Sequence, residues 1–156
     1  MSTEEPIINI RKAIAGDNEK LWHLMKELAI FENYINSFKI TPEIVLEKGF
    51  NKNPPHFYAI VAEKEDSLVG MLVYYFLPYT AQNKPAIYLK ELYVDENHRG
   101  QKIGERLMTA LRTVAENSNC TQIKWTVASW NDTGKKFYKQ LGAIENTEWL
   151  NYELNI

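Results

Sequence analysis

With one cysteine, Cys120, among 156 residues, the chain can form no internal disulfide, which suits a reducing cytosol. A lone thiol in such a chain reads first as a small core residue rather than as a nucleophile. Excess charge is also missing: 18 Lys and Arg stand against 20 Asp and Glu, a formal charge of −2. That balance supplies no general attraction for nucleic acid or an anionic membrane surface, so any anion site must be local. The longest apolar run, MLVYYFL from Met71 to Leu77, falls far short of the ~20 residues that span a bilayer as a helix. The opening MSTEEPIINI lacks the basic and apolar regions of a signal peptide, so a soluble, cytoplasmic protein is the expectation. The histidines, His23, His56 and His98, show no H-x-x-x-H or H-x-x-E-H spacing, and no metal is expected. Neither G-x-x-x-x-G-K-S/T nor G-x-G-x-x-G occurs, which argues against a P-loop NTPase and a Rossmann unit. Without a basic surface, the tryptophans read as core or pocket walls rather than as platforms for bases.

What is present is a continuous alternation of elements. At this length, with 45% apolar residues, a single domain over residues 1–156 is expected. Ile7 to Ala13 reads as a strand, with Ile8 and Ile10 on one face. Asp17 is placed to cap a helix whose Leu21, Leu24, Met25, Leu28 and Phe31 recur at three-and-four spacing. Thr41 and Pro42 open a second helix, which Gly49 is expected to end. FYAIVAE, KEDSL and VGMLVYYFL form a strand, a turn and a strand, and Ile87 to Val94 a central strand. From Ile103 the residues Leu107, Ala110, Leu111, Val114 and Ala115 repeat at helical spacing. Thr121 to Ala128 reads as a strand, Asn131 to Leu141 as a short helix ended by Gly142, and EWLNYEL as a closing strand. The fold class is α/β, a mixed sheet with helices packed on it.

Between the central strand and the third helix lies YVDENHRGQKIG, Tyr93 to Gly104. A helix N-terminus leaves backbone N–H groups unpaired and favours phosphate, and Gly100 and Gly104 allow close approach. Arg99 adds a forked cation and Lys102 a second one. The local pattern fits a pyrophosphate cradle and, equally, a tight strand-to-helix connection with a solvated arginine.

IYLKELYVDENHRGQKIGERLMTAL followed by TVASWNDTGKKFYKQLGA resembles the GNAT N-acetyltransferases, over nearly the whole chain. The KELAIFE segment from Lys26 to Glu32, the Trp130-Asn131 pair, and Phe137-Tyr138-Lys139 before Leu141-Gly142-Ala143 are most similar to the polyamine (diamine) and thialysine branch. The resemblance implies a GNAT-like sheet, mostly antiparallel, splayed at the cofactor site and flanked by helices. It implies acetyl-CoA as co-substrate, with the pyrophosphate on Arg99, Gly100, Gln101, Lys102, Ile103 and Gly104. The pantetheine arm would run along Leu92, Tyr93 and Val94, an amide there serving as oxyanion donor, with Asn131 and Lys136 also on the cofactor. Lys102 stands where the family usually has glycine. A lysine is acceptable unless the backbone demands positive φ.

Acetyl transfer requires a neutral amine and a proton for the leaving thiolate. Tyr138 occupies the family's acid position, its plainer reading being a core aromatic. Glu91 matches an acidic position of the polyamine enzymes and is assigned to catalysis. Glu32 and, more loosely, Glu148 join Phe31, Trp125 and Lys90 as substrate residues, a solvated carboxylate being the plain alternative for each of the three glutamates. Lys90 departs from the pattern, because those enzymes carry an acidic residue there. Adjacent strand residues face opposite sides, so Lys90 and Glu91 share one wall only through a bulge. If Lys90 points into the pocket, a lysine-like substrate with an amine and a carboxylate fits; if it points away, a polyamine remains open. The expected activity is direct acetylation of a small-molecule primary amine. The alternatives are a protein or peptide N-acetyltransferase and a non-catalytic acyl-CoA sensor. The resemblance also implies a homodimer, with C-terminal strands shared.

Overall fold

Strands form where β-branched and aromatic residues cluster. The computed structural model describes residues 6–156, in which five strands make one sheet in the order β1-β2-β3-β4-β5. They are β1 Ile8–Lys12, β2 Tyr58–Lys64, β3 Ser67–Leu77, β4 Ala86–Val94 and β5 Ile123–Lys124. Strands β1 to β4 pair antiparallel, and β5 lies parallel to β4, so the architecture is mixed α/β. The chain divides into two compact units, Met1–Trp125 and Thr126–Ile156. The sheet and helices α1 (Asn18–Phe31), α2 (Pro42–Phe50) and α3 (Ile103–Asn117) belong to the first, and α4 (Asp132–Gln140) to the second.

Period-two alternation sends successive side chains of β2 and β3 to opposite faces. Ile60, Ala62, Leu72 and Tyr74 join Ile87 and Leu89 of β4 against Ile103, Leu107, Leu111 and Ala115 of α3. Ala59, Val61, Met71, Val73 and Tyr93 pack instead against Leu21, Leu24, Met25 and Leu28 of α1 and Val45 of α2. The site described below lies on this second, α1-facing side.

Several local expectations are corrected. Phe31 continues the helical spacing of α1 but is 42% exposed as the last residue of that helix. Asp17 precedes α1 without capping it. Its buried carboxylate takes two hydrogen bonds from Arg11, at 2.8 and 2.9 Å, and a third from the Ile14 amide. The Arg11 guanidinium holds that carboxyl below its ordinary range. Thr41 does cap α2, its Oγ1 accepting from the Ile44 amide. Gly49, however, lies inside that helix, where a Cβ would meet the Phe57 ring at 2.5 Å. Close approach of an aromatic ring, rather than termination, is what requires glycine there. The strand expected over Thr121 to Ala128 is only Ile123–Lys124, paired with Ile87 and Tyr88. EWLNYEL forms no strand: its alternation has no partner, and Leu150, Tyr152, Leu154 and Ile156 are exposed.

Candidate active site

The C-terminus of α1 is set by local chemistry. Asn33 adopts φ 63°, the left-handed conformation that asparagine tolerates. The amides of Asn33 and Tyr34 return to the carbonyls of Ile30 and Ala29 at 3.2 and 2.9 Å. This 6→1 and 5→2 pattern satisfies the last helical carbonyls and turns the chain immediately after Glu32.

On β4 the pairing register breaks at one residue. Val73 lies opposite Glu91 and Tyr74 opposite Leu89, so Lys90 has no partner across the ladder. Such an extra residue reverses the alternation. Before it, the odd residues Ile87 and Leu89 face α3; after it, the even residues Leu92 and Val94 do. Lys90 and Glu91 are therefore successive residues on the same, α1-facing side. Pairing of β4 with β5 stops at Tyr88, just before this bulge, where the two-residue β5 itself ends at Lys124. The edge of β4 from Leu89 onward is thereby left without a β5 partner among the described residues.

The ionisable groups on this side act on one another. Lost hydration pushes the Glu91 carboxyl up to about 7; Lys90 opposes the rise and Glu32 adds to it. Burial also raises Glu32, again opposed by Lys90. The half-buried Tyr34 hydroxyl is pushed well above its ordinary value by burial and by the charges of Glu91 and Glu32. Glu32, Tyr34, Lys90 and Glu91 thus form one electrostatic cluster. Tyr34 was not recognisable in the sequence as part of it, although its position two residues past Glu32, after an asparagine able to turn the chain, was the available signal.

The Arg99 guanidinium lies 5.3 Å from the Phe31 ring centre and 5.7 Å from that of Tyr93, and its Nε donates to the Val94 carbonyl. The side chain expected on phosphate thus also ties the loop to the end of α1. His98 closes the preceding turn, with Nδ1 2.7 Å from the Asp95 carboxylate. Gly100 has φ 79° and open space where a Cβ would stand. Lys102 has φ 61° and offers no side-chain cap to α3. This corrects the expectation that lysine sits here without backbone demand: the position is left-handed, which is why glycine suits it. Lys102→Gly is accordingly expected to stabilise the protein by about 1 kcal/mol, measured by urea unfolding. No change in midpoint would show that the lysine is unstrained. The first N–H groups of α3 remain without intrahelical acceptors, as a phosphate cradle requires.

Trp125, expected at the substrate, is half-buried and packs against the α3-side cluster. In the second unit Asn131 caps α4, its Oδ1 accepting from Gly134 at 2.9 Å. A Cβ on Gly134 would stand 2.5 Å from the Asn131 side-chain amide, which would have to shift to admit a larger residue. Tyr138 is half-buried on α4, its ring 5.3 Å from that of Phe137. Lys136 is exposed on the same helix, and Glu148 is exposed, its amide bonded to Asn146 Oδ1. Among the described residues, no group of three or more His, Cys, Asp or Glu is placed to hold a metal ion. Nor is any helix among them long and apolar enough to cross a membrane.

A family model described as "Acetyltransferase (GNAT) family" matches residues 21–143. The thialysine N-epsilon-acetyltransferase of Mus musculus is 35% identical over 154 residues, covering 92% of this chain and 89% of that protein. The spermidine/spermine N(1)-acetyltransferase-like protein 1 of Homo sapiens is 31% identical over 150 residues, covering 92% of this chain and 21% of that longer protein. Among solved structures, an integron cassette protein from V. cholerae superposes with a TM-score of 0.80 at 26% identity, covering 95% of this chain and 92% of that one.

Proposed function

Because the chain belongs to the GNAT acetyltransferase family, we propose that it transfers acetyl from acetyl-CoA directly to the primary amine of a lysine-like amino acid. The observation that carries this reading is the β4 bulge, which puts the cation of Lys90 beside the carboxyls of Glu91 and Glu32 on one side of the sheet. Carboxylates alone would suit a polycation. Lys90 repels one at close range and attracts a substrate carboxylate.

The remaining residues fit the chemistry. The left-handed turn at Gly100 and Lys102 and the uncapped start of α3 suit the pyrophosphate of acetyl-CoA. The edge of β4 left by β5 can take the pantetheine amides in sheet fashion, and a β4 amide near Leu92 to Val94 can polarise the thioester carbonyl. Glu91 takes the proton of the attacking amine, and Tyr138 gives one to the departing thiolate. No protein nucleophile is needed, so transfer is direct. Asn131 and Lys136 complete the cofactor side. The family match runs across residue 125, which supports reading the two units as one acetyltransferase domain. A homodimer is part of the proposal. Leu150, Tyr152, Leu154 and Ile156 form an exposed apolar row able to add a strand to a second copy, and a monomer in sedimentation equilibrium would set this aside.

A polyamine acceptor is the second reading, supported by the pair Glu32 and Glu91 and by the human relative. Steady-state acetylation of lysine, thialysine and spermidine by the wild type and Lys90→Glu separates the two. The wild type is expected to prefer the amino acids. Lys90→Glu is expected to lose about 10–100-fold in kcat/KM on them and to gain on spermidine. A wild-type preference for spermidine would overturn the lysine-like reading.

A further inference from the structure

The side of the sheet that carries Lys90 and Glu91 continues to Tyr88 and, across the ladder, to Tyr75. Their rings stack nearly parallel and offset, with centres 5.5 Å apart and planes inclined by 15°. Both are half-buried, and neither packs against either apolar core cluster described for the first unit. Two tyrosines thus lie against each other, outside both apolar core clusters, with ring surface still partly exposed. Without the bulge Tyr88 and Glu91 would face opposite sides. With it, Tyr88, Lys90 and Glu91 line one path, spanning roughly 7–10 Å at the strand's rise per residue. That span is close to the reach of an extended lysine side chain.

We propose that the Tyr75–Tyr88 stack is the subsite for the second ammonium group of the acceptor, the one that is not acetylated. The reading rests on the function proposed above. An aromatic face carries negative quadrupole potential and attracts a cation without itself bearing charge. This is the chemistry needed next to Lys90. A carboxylate subsite at Tyr88 would pair with Lys90 and cancel its attraction for the substrate carboxylate, whereas ring faces hold the α-ammonium and leave Lys90 to the α-carboxylate. The zwitterionic head of the amino acid is thereby oriented, and its distal amine is directed along β4 toward Glu91.

Three amines dissect the head group: lysine carries both charges, cadaverine lacks the carboxylate, and 6-aminohexanoate lacks the α-ammonium. In the wild type, 6-aminohexanoate is expected to show a higher KM than lysine. Tyr88→Leu and Tyr75→Leu are expected to raise KM for lysine and cadaverine about 3–30-fold with kcat nearly unchanged, and to leave 6-aminohexanoate alone. Tyr88→Phe keeps the ring face and should behave almost as the wild type. Equal losses on all three amines, or no change on any, would overturn the subsite and leave the rings as a cross-strand pair that only stabilises the sheet. If the leucine variants fail to fold, the wild-type comparison decides: equal KM for lysine and 6-aminohexanoate overturns the proposal. A wild type that acetylates none of the three fails at the level of the proposed function, whatever the tyrosines do.

Discussion

Glu91→Gln is expected to lower kcat for amine acetylation by about 10²- to 10⁴-fold while leaving acetyl-CoA affinity within about twofold. The amine must lose a proton to attack, and Glu91 is the carboxyl on the α1-facing side of β4 that lost hydration pushes up to about 7. A base with that value is charged above about pH 7 and protonated below it. The wild-type kcat/KM should therefore rise with pH through that value, and the variant should lack this limb.

Stability should move the other way. The folded carboxyl titrates about 7 against a reference of 4.5, so the native state binds the proton more tightly than the unfolded chain. Its contribution is fully present below the reference value and is lost as pH rises through the folded one. A neutral glutamine removes that penalty, and at pH 8 the variant should be more stable, by up to roughly 3 kcal/mol. An inactive but more stable enzyme cannot be explained by misfolding. A variant with unchanged pH–rate profile would remove Glu91 from the role of base.

Tyr138→Phe is expected to reduce kcat about 10²- to 10³-fold, with little change in CoA affinity measured by calorimetry. The departing thiolate needs a proton, and a phenol keeps one at neutral pH while sitting within the family-matched segment. The variant keeps the ring that lies 5.3 Å from Phe137, so a purely structural tyrosine predicts near-normal turnover. Tyr34→Phe is the informative control, because Tyr34 is the tyrosine whose titration is coupled to Glu91 and Glu32. Loss in the Tyr34 variant with retention in the Tyr138 variant would move the acid to the end of α1. A non-catalytic sensor would show cofactor binding in every variant and turnover in none, including the wild type.

The apolar periods of α1 and α3, the Thr41 cap and the hairpin of β2 and β3 were legible in the sequence, because each is a local pattern that one element satisfies alone. So was the strand-to-helix turn at Gly100, whose glycine spacing fits a phosphate cradle and a plain connection equally. Lys102 shows where that legibility ends, since its left-handed φ of 61° comes from the turn it closes rather than from its own preference. Asp17 has the residue type of a cap, yet its carboxylate is drawn to Arg11, a partner delivered by β1. The period-two pattern of Thr121 to Ala128 and of EWLNYEL was real, but a strand exists only where another backbone pairs with it.

By itself, then, the sequence determined the order of most elements, the apolar faces of α1 and α3 and, through its resemblance to the GNAT family, the acetyltransferase class. Only the tertiary structure decided which charges meet. A bulge is a property of the pairing between β3 and β4, invisible in either strand alone. That single unpaired residue, Lys90, turns Glu91 to the side of Glu32 and Tyr34, brings Tyr88 into line with it, and reverses the alternation that the sequence leads one to expect.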